Sequence, residues 1–373
     1  MQCYRGLRLS AVDASHLNLA SRIELEQEFG RPGSTGRHRS LPQAQLVTLD
    51  WVQLGWFYDW RLARHDVSEL ALARELCARL GPGDLLLADR LYFDPHWFAG
   101  LDHRGVKFLF RATADRWRTL TKACRKRVER QRRLANGRVD LWAELHVRDP
   151  VSGKRTGTLR VRYLEVPQPG RETLRFFTNL SADVLPPAEA VKLYFRRWGI
   201  ETDYRLFKGQ DHLPVVLSRK PQTVRQEILL RLLAHNSVRY VQALACLRLR
   251  QLNGADPPPG APRQPTATWR PRHHQQGRPL LPIDLQTGQT TAIILGHIQR
   301  LAAAGPRRRH ESLAQLLAEV VRHPIYAKPN RSYPRRGWKY QKGRRNKGNR
   351  RAQHRRWRRR KTALEGIGAG ETY

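Results

Sequence analysis

DLLLAD, residues 84–89, is the stretch on which the fold turns. Leu85, Leu86, Leu87 and Ala88 run without alternation between two aspartates. The run is too short for a helix and is apolar on both faces of a strand. It predicts a strand buried on both sides, of the kind found in a sheet covered by helices. Asp89 would then sit at the end of a buried strand.

The neighbouring sequence extends this reading. VKFLFRA at 106–112 has the same buried character, and GLRLSAVD at 6–13 alternates before ending in a second acid, Asp13. Residues 44–63, AQLVTLDWVQLGWFYDWRLA, are rich in β-branched and aromatic side chains and predict a two-strand meander turning near Gly55. SELALARELCARL at 68–80 has helical apolar spacing behind Ser68 as N-cap, and a short helix is predicted over 95–103. The order β-β-β-α-β-α-β predicts an α/β fold, a mixed sheet of five strands with flanking helices.

Residues 113–172 change character. RWRTLTKACRKRVERQRRLANGR is strongly basic, and VDLWAELHV and TGTLRVRYLEV then alternate around the turn-prone DPVSGK. The segment reads as a β-rich insertion between a first part of the core domain (1–112) and a second part (173–250). TLRFFTNL at 173–180 returns to core composition, one long helix is expected over 186–209 behind Pro186–Pro187, and another over 219–247. Residues 251–285 are a Pro-rich linker, 286–325 a helical segment with amphipathic stretches at 289–303 and 310–322, and 326–373 a basic tail. The tail carries 17 Lys or Arg and no acid between 328 and 361, and is expected to be disordered alone.

The 373 residues carry a formal net charge of +37, which calls for a polyanionic partner, nucleic acid before an anionic membrane surface. Arg outnumbers Lys 57 to 12, so coding bias inflates the charge. Cys3, Cys77, Cys124 and Cys246 form no CxxC pair, which argues against a disulfide framework or zinc cluster and fits a reducing cytosol. No apolar run reaches the ~18–20 residues of a membrane helix, and the N-terminus has no secretory core.

Chemistry gathers in KLYFRRWGIETDYRLFKGQ at 192–210. Tyr194, Arg197, Glu201 and Lys208 stand at offsets of 0, 3, 7 and 14. On a continuous helix they share an arc of roughly 60°. Phosphodiester transfer uses two metal ions about 3.5–4 Å apart to grip attacking and leaving oxygens, and carboxylates suit Mg²⁺. Asp13, Asp89 and Glu201 could hold such a pair, with Arg197 and Lys208 on phosphate oxygens and Tyr194 bonding a phosphate or stacking on a base. The plainer alternatives are turn or cap aspartates and a solvated face with an Arg197–Glu201 pair.

Other candidates weigh less. Asp203 lies about 200° round the helix from Glu201 and faces away. Asp94 reads as a helix cap, Asp50 and Asp59 as surface or turn residues, and His273–His274 have no metal-ligand partners in useful spacing. Trp117 and Trp142 read as packing residues before base-stacking ones. Arg125, Lys126, Arg127, Arg130, Arg132 and Arg133 form either a DNA-facing surface or a solvated helix face.

The helix fits, at all four positions, the Y-(2)-R-(3)-E-(6)-K signature of the insertion-sequence-4 family of bacterial DDE transposases. LLLADRLYFD resembles that family's second-aspartate motif. GLRLSAVDAS resembles its first, with Ala14-Ser15 where Gly-Thr is usual. The 113–172 segment stands where the family carries a β-strand insertion, and NRSYPRR at 330–336 resembles its C-terminal ending. The resemblance implies a ribonuclease-H-like fold, with Asp13, Asp89 and Glu201 as catalytic ligands of two Mg²⁺ or Mn²⁺ ions. Tyr194, Arg197 and Lys208 would bind the DNA end. It implies cut-and-paste transposition in a bacterial cytoplasm, at the nucleoid, with transposon ends and target DNA as partners, no membrane, and a homodimer in the DNA complex. The family's N-terminal recognition region is expected to be missing, since the first strand starts about five residues from Met1. A non-catalytic DNA-binding remnant and a ribonuclease-H-like nuclease are the alternatives.

Overall fold

In the computed structural model, residues 4–33, 40–168, 170–209, 215–254 and 285–323 are described. The basic tail, most of the Pro-rich linker and His273–His274 lie outside them.

Three strands pair in parallel at the middle of the sheet. β1 (Arg8–Leu19) is flanked by β4 (Asp84–Ala88), and β4 by β5 (Lys107–Ala112). All five residues of β4 are buried, as a strand covered on both faces requires. On the other side of β1 lie β2 (Gln43–Trp51) and then β3 (Trp56–Arg64), both antiparallel. Gly55, at φ +67°, makes the turn between them; this left-handed conformation suits glycine.

The sheet is mixed, as expected, but it is not five-stranded. β6 (Val139–Arg148), β7 (Arg155–Gln168) and β8 (Arg171–Thr178) continue it past β5 in the order β3-β2-β1-β4-β5-β8-β7-β6, and β9 (Val215–Val216) pairs with the far end of β1. The strands of the 113–172 segment therefore form no separate layer. β8 satisfies the open hydrogen-bonding edge of β5, and the β6–β7 hairpin adds on to β8.

Helices cover both faces. α1 (Ile23–Phe29), α5 (Pro187–Phe195), α6 (Trp198–Gly209) and α7 (Pro221–Gly254) pack on the face bearing Leu9, Ala11, Leu85 and Leu87. α2 (Glu69–Leu76), α3 (Pro95–His103) and α4 (Lys122–Leu134) pack on the face bearing Val12, Leu86 and Ala88. Ser68 caps α2, and Asp94 caps α3 through the His96 and Trp97 amides. α4 lies within the basic stretch and sends Cys124 and Val128 inward. Arg132 of α4 is taken up by Glu129 and Glu165. α8 (Thr287–Ala303) and α9 (Pro306–Val320) share a small apolar cluster with Ala245 and Cys246 of α7.

The long helix expected over 186–209 is two helices. The chain turns at Arg196–Arg197 through successive i→i−3 bonds, from Arg196 to Leu193, Arg197 to Tyr194, Gly199 to Arg196 and Ile200 to Arg197. Such bonds wind the chain tighter than an α-helix. Tyr194 and Glu201 therefore belong to different helices, and the single-helix arc does not describe them.

Candidate active site

Strand register brings the first two acids together. Leu9 pairs with Leu85 and Ala11 with Leu87. Asp13 and Asp89 each lie two residues further along adjacent parallel strands, which run about 4.8 Å apart. Side chains two residues apart share a face, so both acids emerge on the face covered by α5 and α6. Both are partly exposed, as is Glu201 of α6, while Tyr194 and Arg197 behind them are buried.

The buried side chains tie the acids together. Arg197 donates to Asp13 Oδ2 at 2.9 Å and to Glu201 Oε1 at 2.7 Å, so one guanidinium bridges a strand acid and a helix acid. The Tyr194 hydroxyl donates to Asp89 Oδ1 at 2.9 Å. Lys208 Nζ donates to the His16 carbonyl at 2.8 Å, pinning the end of α6 to β1. Asp13 Oδ1 also accepts from the Ala14 amide, and Asp89 Oδ1 from the Arg90 amide, where it caps a short 3₁₀ turn.

The electrostatics follow from this crowding. Burial pushes the Asp13 carboxyl up to about 6, with Arg197 opposing the shift and Glu201 and Asp89 reinforcing it. Burial pushes the Tyr194 phenol up to about 12 and works to lower the Lys208 ammonium. Burial also works against the Arg197 charge, but Tyr194, Asp13 and Asp89 more than compensate and raise its pKa. Glu201 and Asp89 both work against ionisation of Asp13, so a cation among these carboxylates is stabilising, and here the cation is the Arg197 guanidinium. Hard oxygen donors of this kind suit Mg²⁺ or Mn²⁺. Among the described residues no three His, Cys, Asp or Glu already converge on one metal position; Arg197 stands between Asp13 and Glu201.

Sequence reasoning missed a layer beneath these acids. Asp50, expected at the surface, is 1% exposed. It shares the inner face of β2 with Thr48, which pairs with Asp13 in the β1–β2 register. The Thr48 hydroxyl lies 2.8 Å from both Asp50 Oδ1 and the Tyr204 hydroxyl, and Tyr204 donates to the Asp13 carbonyl at 2.8 Å. Each hydroxyl has one proton to give. If Tyr204 gives its proton to Asp13, Thr48 must give its own to Tyr204, and Asp50 must supply one to Thr48. Burial, together with Asp203, raises the Asp50 carboxyl well above its ordinary range, which agrees with a neutral acid. Asp203 does face away from Glu201, and what it meets is Arg239 of α7 in a buried ion pair. The alternation Leu46-Val47-Thr48-Leu49-Asp50 was the available signal, but two polar residues on one strand face look the same whether water or a helix covers them.

A model of the transposase DDE domain matches residues 5–237 of this chain, which span both aspartates and the glutamate. The chain belongs to the DDE transposases. Within them it is of the insertion-sequence-4 type. It is 24% identical over 350 residues to the "Transposase InsG for insertion sequence element IS4" of Escherichia coli (strain K12), covering 90% of this chain and 69% of that protein. Among solved structures it is similar to a piggyBac transposase synaptic complex with hairpin DNA, with a TM-score of 0.43 and 8% identity. That match covers 83% of this chain and 57% of the other. No helix among the described residues is long and apolar enough to cross a membrane.

Proposed function

We propose that this DDE transposase cuts DNA at the ends of an insertion sequence and joins the freed 3′-hydroxyl to target DNA. Asp13, Asp89 and Glu201 would be its catalytic residues. The observation that supports this most is the register-matched pair Asp13–Asp89, linked by Arg197 to Glu201. The strand order β3-β2-β1-β4-β5 supports a ribonuclease-H-like fold. Asp89 stands just past the end of β4, and Asp13 two residues past the β1–β4 pairing, in a β1 that runs on to Leu19 rather than ending at the acid. The three carboxylates would hold two Mg²⁺ or Mn²⁺ ions. When bound, the ions activate the attacking oxygen and stabilise the leaving one.

The protein's own groups orient the reaction. Tyr194 and Arg197 fix the carboxylate oxygens from behind, so that the acids present their remaining lone pairs toward solvent. A phosphate oxygen that reaches Arg197 can replace a carboxylate oxygen on the same guanidinium, whose planar fork suits both. Lys208 and Tyr194 complete the proposed grip on the terminal phosphate. The partners would be transposon ends and target DNA, bound by a homodimer in a bacterial cytoplasm. The tail beyond residue 326 would add sequence-independent phosphate contacts.

The test is Mg²⁺- or Mn²⁺-dependent cleavage of DNA that carries the sequences flanking the gene. D13N, D89N and E201Q should each lose activity by about 10²-fold or more while still binding DNA. Full cleavage by any one of them overturns the assignment. Strand-transfer products distinguish a transposase from a nuclease on the same fold, whose products would be cut ends alone.

A further inference from the structure

A cleft of about 430 Å³ opens just past the second catalytic strand. Its lining includes Phe93, His96, Arg116, Arg118, His146 and Arg148. These residues come from three places: the chain from Asp89 into α3, the 3₁₀ segment Ala114–Thr119 after β5, and the outer strand β6. Three arginines and two imidazoles thus converge from separated parts of the sequence.

The cleft does not neutralise itself. Asp94 lines it, but that carboxylate is already taken by Arg74 and by the amides at the start of α3. Asp115 stands 3.9 Å from Arg118, and both are well exposed, so water screens the pair. Arg116 and Arg148 meet no carboxylate among the described residues. Arg116 lies over the Phe93 ring at 4.8 Å, and Arg148 donates to the Gly153 carbonyl. The buried Nδ1 of His146 has no hydrogen-bond partner among the described residues. Burial holds this imidazole below its ordinary range, with Arg155, Arg148 and Arg125 adding to the effect.

We propose that this cleft seats the sugar-phosphate backbone of the DNA strand that runs past the Asp13–Asp89–Glu201 cluster, with Arg116 and Arg148 as its phosphate ligands. The proposal rests on the reading that this cluster acts on DNA. Only Arg90, Leu91 and Tyr92 separate Asp89 from Phe93, and they form a 3₁₀ turn. The two residues therefore lie within roughly 14 Å, the fully extended limit. The acids open on the α5–α6 face and the cleft on the α2–α3 side, so the strand would cross the end of β4 between them. With a rise of about 3.4 Å per nucleotide, the Phe93 edge of the cleft falls within about four nucleotides of a phosphate held at Asp89. Exposed guanidinium forks match phosphodiester oxygens, and an open cleft between a turn and a strand edge admits a continuous chain.

The experiment uses the full chain and a fluorescent duplex of about 30 base pairs carrying the gene's flanking sequence, with binding followed by anisotropy across a KCl series in EDTA. R116A/R148A should bind roughly tenfold more weakly at about 0.1 M salt and lower the slope of log K against log salt by about 1–2. R116K/R148K, which keeps both charges, should retain the wild-type slope. A wild-type slope in the alanine pair overturns the proposal, as does an equal loss of slope in both pairs. Cleavage of the same duplex in Mg²⁺ separates the two claims. Cleavage with an unchanged slope removes the cleft and leaves the active site. A cleft-dependent slope without cleavage leaves the cleft and removes the active site.

Discussion

The Tyr204 hydroxyl supports the main chain of Asp13, donating to its carbonyl at 2.8 Å from beneath the sheet. The stretch of β1 that bears the proposed catalytic Asp13 is thus held by a side chain of the helix that carries Glu201. Y204F removes this bond and leaves the buried Thr48 hydroxyl and Asp13 carbonyl short of a partner. It should destabilise the fold by about 1–3 kcal/mol, measured by urea unfolding. Cleavage should fall while the DNA affinity of the folded protein stays close to wild type.

A neutral Asp50 makes stability depend on pH in a defined direction. The folded protein keeps the Asp50 proton above the ordinary carboxylate pKa, whereas the unfolded chain releases it near 4. Stability from this group is therefore full below about pH 4 and declines as pH rises toward the folded value. D50N offers Thr48 the same donated hydrogen and does not titrate. Its melting temperature relative to wild type should rise between pH 4 and pH 7. A difference that is flat or falls with pH would show Asp50 to be ionised.

Much of this site was legible in the sequence, and the limits have physical causes. DLLLAD revealed both a buried strand and the acid at its end, because a β4 apolar on both faces has few other uses. Tyr194, Arg197, Glu201 and Lys208 were picked out by spacing, although the helix bearing them is broken. RRWG contains no proline, and the joint consists of four tightened hydrogen bonds that no residue type announces. α1, with the sequence IELEQEF, is too short and too charged to show a clear periodicity. The Asp50–Thr48–Tyr204 layer depends on which helix covers β2, a tertiary fact that alternation cannot supply.

Arg197 holds two acids at once, so its loss should be felt before any DNA is present. R197A leaves Asp13 and Glu201 facing each other without a bridging charge. The expected cost is about 2–4 kcal/mol, less than for a fully buried pair because Glu201 is more than a third exposed. R197K should recover part of this, since it keeps the charge but not the fork. Adding Mg²⁺ should raise the melting temperature of R197A more than that of wild type, a shift read by calorimetry without turnover.

The Asp203–Arg239 pair is deeper, at 1% and 2% exposure. R239A leaves Asp203 buried without its partner and should cost about 3–5 kcal/mol in urea unfolding. Gly55 tests the same contact from the other side. A Cβ there would fall 2.8 Å from Arg239 Nε and 3.1 Å from Asp203 Oδ1, at a φ of +67° that disfavours side chains. G55A should destabilise by about 2–4 kcal/mol. Combined with R239A it should cost less than the sum, because the clash disappears with the guanidinium.

The pairing of β1 with β4 also has a protective side. Asp13 and Asp89 meet because Ala11 lies opposite Leu87. A slip of one residue in either strand would send its acid to the other face of the sheet, away from α6. Under the proposed function, an incompletely folded chain would then lack the means to break a chromosome, however tightly its cationic surface clung to it. If the proposed site is the active one, harm from a misassembled copy is limited by the same hydrogen-bond ladder that assembles the site.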